Sequence, residues 1–243
     1  MGHRIFALDF DGVVCDSAFE CLVVSYCVYN KISLEDALKA NSAFDLMPSD
    51  LYQKAYVRRG FVRPARQFFL LWKWVLEMSE KCFTQEQFES LELDYKDEVA
   101  SFDENFFSFR NRFRDMNLEK WIGINPLFPN VKEVWNKLSN NKIYIVTTKD
   151  SRSVQLIAGF YGLRFDGLYA KGSFVEKDDA IKDILRKENA APSEVVFVDD
   201  NLKNLKVVES LGVPVLGALW GYEADSMKDV PVINAFSDLV EYL

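Results

Sequence analysis

The sequence predicts an α/β fold in which a parallel β-sheet is interrupted by a long, all-helical insertion. Short apolar runs that alternate with amphipathic helical patterns indicate the sheet. A long central stretch, rich in aromatic residues and almost without strand pattern, indicates the insertion. The 243 residues, of which 49% are hydrophobic, suffice to bury the core of one large domain or two modest ones.

Three apolar runs have the length and composition of strands that are buried on both faces. They are residues 5–8 (IFAL), 143–146 (IYIV) and 195–198 (VVFV). A further strand is predicted within residues 213–220, where Pro214 and Gly217 interrupt the apolar pattern. Short buried strands of this kind are typical of a parallel sheet.

Helical patterns lie between these predicted strands. Apolar residues recur at helical spacing before the second strand at Val131, Val134, Trp135 and Leu138. The same spacing occurs before the third strand at Ile181, Ile184 and Leu185. Strands that alternate with helices predict right-handed crossovers and a Rossmann-like sheet covered on both faces.

Residues 18–123 interrupt this alternation and are predicted to be helical. Pro64 suits the start of a helix. A stripe of aromatic residues at helical spacing indicates a helix that packs its apolar face: Phe102, Phe106, Phe109 and Phe113. Residues 123–129 contain two prolines and are typical of a linker. We therefore expect an α/β core of residues 1–17 and 124–243 and an inserted helical cap domain of residues 18–123.

Composition argues against several classes of protein. The net charge of −8 disfavours a nucleic-acid partner, and no apolar run approaches the ~20 residues of a membrane span. The single histidine, His3, lies near a terminus, so catalytic triads and histidine-ligated zinc sites lack an imidazole. With no signal peptide pattern and no Cys-x-x-Cys pair, we expect a cytoplasmic protein with reduced cysteines, Cys21 and Cys27 lying in an apolar helix.

Carboxylates follow two of the predicted strands. Asp9 and Asp11 follow the first, and Asp199 and Asp200 follow the third. Ligands bind at the carboxyl ends of parallel strands, and carboxylate oxygens suit Mg²⁺. One alternative is that the first pair only begins a turn at Gly12. For the second pair the alternative is helix capping, although Asn201 could cap that helix equally well.

Two further residues complete the candidate site. Thr147 offers a hydroxyl and a backbone N–H where the second strand ends. Lys177 lies in the first turn of the helix predicted from about residue 178 to 188, where a cation opposes the helix dipole. Asp178 and Asp179 offset that charge, so a solvated lysine is an alternative reading. Lys171, just upstream, is a second candidate for the same role.

Together these residues resemble the haloacid dehalogenase-like superfamily, in its phosphatase branch. The four motifs of that family are matched, in order, by residues 9–13, Thr147, Lys177 and the pair Asp199-Asp200. Residues 127–129, 147–149 and 220–222 are similar to phosphoglycolate phosphatase relatives, which insert a helical cap between the first two motifs. The sequence departs from the family pattern at Asn204, where many relatives carry aspartate, and in a longer helical insertion.

The resemblance implies a phosphoric monoester hydrolase that acts on a small phosphorylated metabolite through an aspartyl-phosphate intermediate. It implies that Asp9 is the nucleophile and Asp11 the acid and base, whereas dehalogenases lack an aspartate at that position. Thr147 and Lys177 would bind the transferred phosphoryl group.

The same resemblance implies a magnesium cofactor. The ion would be held by Asp9, the carbonyl of Asp11 and Asp200, with support from Asp199. Loss of aspartate at position 204 implies one fewer outer partner for the metal. Two other functions fit the same scaffold, namely a phosphomutase and a non-catalytic binding module. The intact set of motif residues argues against the second of these.

Overall fold

The computed structural model describes residues 4–222 and 227–243, so His3 lies outside the described residues. The chain forms two compact units. One is built from residues up to Asp16 and from Pro126 onward, and the other spans Ser17–Asn125. The first boundary lies one residue before the one expected between positions 17 and 18. The second lies two residues after the one expected between positions 123 and 124.

The Ser17–Asn125 unit is entirely helical. Its α-helices are α1 (Ala18–Tyr29), α2 (Leu34–Lys39), α3 (Ser49–Tyr56), α4 (Phe68–Glu77), α5 (Gln85–Asp94), α6 (Lys96–Met116) and α7 (Leu118–Gly123). The aromatic stripe lies on α6, where Phe102, Phe106 and Phe113 are buried as the helical spacing predicts and Phe109 is only partly buried. Cys21 and Cys27 are buried on α1.

A buried ion pair connects three helices of this unit. Glu20 on α1 accepts two hydrogen bonds from Arg110 on α6, at 2.8 and 2.6 Å. The indole of Trp121 on α7 donates to the same carboxylate at 3.2 Å. A buried charge is tolerated only when it is paired and hydrogen-bonded, and these contacts meet that requirement.

The other unit contains a parallel sheet of six strands within the described residues. They are β1 (Ile5–Leu8), β2 (Lys142–Val146), β3 (Gly167–Tyr169), β4 (Val195–Asp199), β5 (Val215–Ala218) and β6 (Val232–Ile233). Their order is β3-β2-β1-β4-β5-β6. Every residue of β1 and β4 is buried, which explains their continuous apolar runs. The predicted Rossmann-like α/β fold is confirmed.

Helices cover this sheet as the alternating pattern predicts. They are α8 (Val131–Leu138), α9 (Ser151–Tyr161), α10 (Lys177–Glu188) and α11 (Leu202–Glu209). Ile181 and Leu205 bring α10 and α11 onto one face of the sheet, against Ala7 and Phe197. Because the strands are parallel, the loops that follow β1, β2 and β4 open at one edge of the sheet. No helix in the described part of the chain is long and apolar enough to cross a lipid bilayer.

Candidate active site

Three carboxylates converge where β1 and β4 end. Asp9 follows β1, Asp199 is the last residue of β4, and Asp200 comes next. The two strands are neighbours in register, and the Asp9 amide donates to the carbonyl of Val198 at 2.9 Å. One carboxylate oxygen from each aspartate lies within 4.8 Å of the others, and all three residues are buried. The sheet therefore brings Asp9 of the first acidic pair to both members of the second pair, 190 residues further along the chain.

Lys177 supplies the positive charge of this cluster. It is the first residue of α10, and its Nζ lies 2.8 Å from Asp9 Oδ2 and 2.6 Å from Asp199 Oδ2. Its side chain is only 3% exposed. Lys171 has an exposed side chain, and its amide donates to the carbonyl of Lys149 at 3.0 Å. Of the two candidate lysines, Lys177 is thus the one that contacts Asp9.

Burial and charge shift the acid–base behaviour of this pair. Burial raises the pKa of Asp9; Lys177 opposes the shift, and Asp199 and Asp200 add to it. Burial by itself would lower the pKa of Lys177, but the carboxylates of Asp199 and Asp9 outweigh it and raise that pKa. Lys177 therefore stays charged. Ionising the buried Asp9 carboxyl costs free energy, and a further cation beside it would offset that cost.

The cluster fits a divalent cation. If all three aspartates are ionised, the single Lys177 ammonium leaves two negative charges uncompensated among these four groups. Hard divalent cations take carboxylate and carbonyl oxygens as ligands. Asp9 and Asp200 each face the cluster from a loop, so their oxygens can approach one ion.

Asp199 is held by several donors. Besides Lys177, it accepts from the amide of Asn201 at 2.8 Å and from Asn204 Nδ2 at 3.2 Å to each oxygen. Of the alternatives that the sequence left open, the structure shows the side chain of Asn201 capping α11, so neither aspartate is needed as a cap. Asn204, the position at which the metal is expected to lose an outer partner, donates its amide to the carboxylate of Asp199.

Two glycines make room for Asp200. Gly12 has a φ of +86°, and a Cβ there would lie 2.2 Å from Asp200 Oδ2. A Cβ at Gly221 would lie 2.2 Å from the Cβ of Asp200 and 2.8 Å from the carbonyl oxygen of Gly12. The amide of Tyr222 donates to Asp200 Oδ2 at 2.8 Å. The loop around residues 220–222 thus packs directly on this carboxylate.

Asp11 and Thr147 meet through a residue that the sequence did not single out. The Nζ of Lys149 lies 3.1 Å from Asp11 Oδ1, and its amide donates to Thr147 Oγ1 at 3.2 Å. The side chain of Asp11 points to this lysine and is not part of the three-carboxylate cluster. The sequence analysis did not predict the contact of Lys149 with Asp11, or those of Gly221 and the Tyr222 amide with Asp200. It identified these residues only as parts of segments that are similar to phosphatase relatives.

Known proteins are similar to this chain in sequence. The family model for the haloacid dehalogenase-like hydrolase matches residues 3–212. A phosphoglycolate phosphatase of Mannheimia succiniciproducens is 26% identical over 153 residues, which are 57% of this chain and 67% of that protein.

Solved structures share the fold. A crystal structure of a predicted phosphoglycolate phosphatase from Haemophilus somnus has a TM-score of 0.66 at 20% identity, covering 99% of this chain and 97% of that one. A haloacid dehalogenase-like family protein from Streptococcus pneumoniae has a TM-score of 0.64 at 18% identity, covering 99% of each chain.

Proposed function

This chain belongs to the haloacid dehalogenase-like hydrolases, and from that membership we propose that it is a magnesium-dependent phosphatase of small phosphate monoesters. The observation that carries the proposal is the position of Asp9. Its carboxylate is buried at the end of β1, paired with Lys177 at 2.8 Å and grouped with two further carboxylates. A nucleophile so placed can attack phosphorus, and the neighbouring Lys177 ammonium can stabilise the negative charge on the transferred oxygens.

The reaction divides into two displacements. A carboxylate oxygen of Asp9 forms a bond to phosphorus as the bond to the leaving oxygen breaks, and Asp11 gives that oxygen a proton. Asp11 then takes a proton from water as the water oxygen attacks phosphorus and releases Asp9. This acid and base catalysis typically contributes 10²–10⁴-fold. Lys177 and Thr147 bind the phosphoryl oxygens, where negative charge builds up.

Magnesium would be held by the carboxylates of Asp9 and Asp200 and by the backbone carbonyl of Asp11. When bound, it neutralises the charge of the phosphoryl oxygens and of the attacking carboxylate. Asp199 supports the site through its bonds to Lys177 and Asn204. The magnesium proposal is supported by the two negative charges of the ionised cluster that Lys177 leaves uncompensated.

The helical unit is proposed to act as a cap that selects a small metabolite. We place the reaction in the cytoplasm, where the four cysteines would remain thiols. Because one relative is named a phosphoglycolate phosphatase, 2-phosphoglycolate is the first substrate to test.

Phosphate release tests this proposal directly. We expect release from 4-nitrophenyl phosphate, or from a panel of small phosphate esters headed by 2-phosphoglycolate, with Mg²⁺ present. Activity should fall to background in EDTA and return when Mg²⁺ is added back, because the phosphoryl charge is then neutralised again. No release from the panel by folded protein would contradict the proposal. Conversion of a sugar phosphate without phosphate release would instead identify a phosphomutase.

Replacing Gly221 with alanine should weaken Mg²⁺ binding by about tenfold or more, since the added methyl would overlap Asp200 and shift a ligand. Isothermal titration calorimetry with Mg²⁺ measures this directly, without turnover. Gly159→Ala is the matched control, because nothing lies within 4 Å of a Cβ at that position. Equal Mg²⁺ affinity in both variants would show that the loop of residues 220–222 does not position Asp200.

A further inference from the structure

Lys149 is a buried cation to which the four motifs assign no role. Its side chain is 1% exposed, and its Nζ lies 3.1 Å from Asp11 Oδ1 and 3.3 Å from Asp11 Oδ2. The ammonium group therefore faces both oxygens of one carboxylate. We propose that Lys149 is a positioning residue that orients Asp11 for proton transfer to the leaving oxygen.

The main chain on either side of Lys149 is held by hydrogen bonds. The amide donates to Thr147 Oγ1 at 3.2 Å, and the carbonyl accepts from the amide of Lys171 at 3.0 Å. The next residue, Asp150, caps α9 by accepting from the amide of Ser153 at 2.9 Å. The main chain of Lys149 is thus held on both sides, and burial of its side chain restricts where the ammonium group can lie.

The orientation of the Asp11 side chain depends on its contact with Lys149. The Asp11 side chain is 28% exposed, so water can reach part of the carboxylate, but Oδ1 is buried and faces the Lys149 ammonium group. Its backbone is set by the tight turn in which the amide of Gly12 donates to the carbonyl of Cys15 at 3.0 Å. The side-chain torsions are not set by this turn. The contact with Lys149 restricts them, which is what a group that must meet the leaving oxygen requires.

This inference rests on the proposed function, and it makes a prediction that a purely structural lysine does not. A good leaving group, such as 4-nitrophenolate, departs without a proton, whereas an alkoxide needs one. Loss of Lys149 should therefore harm hydrolysis of alkyl phosphates much more than hydrolysis of 4-nitrophenyl phosphate. Damage to the fold or to the phosphoryl site would harm both alike.

The test is kcat/KM, which reports steps up to the first irreversible one, for wild type and Lys149→Met. For an alkyl phosphate that the wild type accepts, we expect a loss of about tenfold or more, within the range of acid catalysis. For 4-nitrophenyl phosphate we expect a change of at most about threefold, which also shows that the phosphoryl site is intact. Lys182→Met, which removes an exposed lysine on α10, should leave both values unchanged.

A double mutant shows whether Lys149 acts through Asp11. In an Asp11→Asn background, Lys149→Met should add no further loss on the alkyl phosphate, because the group that it orients is already gone. Additive losses, or equal losses on the two substrates, would overturn the inference. Lys149→Gln repeats the test with a polar side chain, and failure of both variants to fold would assign Lys149 a structural role instead. If the wild type releases no phosphate from any ester, it is the proposed function that fails.

Discussion

Replacing Asp9 with asparagine is expected to lower phosphate release by about 10³-fold or more while leaving the protein folded. Asparagine keeps the shape of the side chain but cannot form the aspartyl-phosphate. The fold should tolerate it, because burial raises the pKa of Asp9 and so opposes its ionised form. Lys177 keeps its second partner, Asp199, at 2.6 Å.

Thermal unfolding in EDTA provides the second measurement for this variant. A carboxyl group with a raised pKa binds its proton more tightly in the folded state, so it destabilises the fold as pH rises above the ordinary range of aspartate. Asparagine removes this effect. The melting temperature of Asp9→Asn should therefore equal or exceed that of the wild type at neutral pH.

An exposed aspartate supplies the control for Asp9. Asp50 on α3 has a side chain that is 67% exposed and forms a surface pair with Lys54. Asp50→Asn should change neither activity nor melting temperature appreciably, because such pairs contribute little. Undiminished turnover by Asp9→Asn would rule out the covalent intermediate.

Much of the fold could be predicted from the sequence because its signals are local. Buried parallel strands produce continuous apolar runs, and those runs marked β1, β2 and β4 to within one residue. The two edge strands could not be predicted in this way. β3 has three residues and β6 two, so neither contains enough alternation or apolar length to differ from a loop.

Some features of the active site could likewise be predicted from the sequence, and others could not. Acidic residues that follow strands are visible in a sequence, since parallel strands bring their carboxyl ends to one edge. The contact between Lys149 and Asp11 joins positions 138 residues apart. The packing of Gly221 on Asp200 depends on a loop conformation that no periodicity encodes. Such contacts depend on tertiary packing. For this reason the sequence predicted that Lys149 and Gly221 lie in segments near the active site but did not predict what they contact.

Replacing Lys177 with methionine is expected to lower kcat/KM by about 10²–10³-fold, which is typical of losing one preorganised charge at the reacting group. In EDTA it should also lower the free energy of unfolding by about 3–5 kcal/mol, since the buried carboxylates of Asp9 and Asp199 lose their shared cation. Lys171→Met removes a lysine from the preceding loop, and its exposed side chain predicts little change in either quantity.

The two variants together decide which lysine serves the phosphoryl group. Urea denaturation in EDTA measures stability, and turnover of 4-nitrophenyl phosphate with Mg²⁺ measures activity on protein shown to be folded by circular dichroism. A larger loss of activity in Lys171→Met than in Lys177→Met would transfer the role to Lys171. A large loss of stability in Lys177→Met without loss of activity would mean that the lysine only neutralises buried charge. The contacts of 2.8 and 2.6 Å to two carboxylates, one of them the proposed nucleophile, lead us to expect both losses in Lys177→Met.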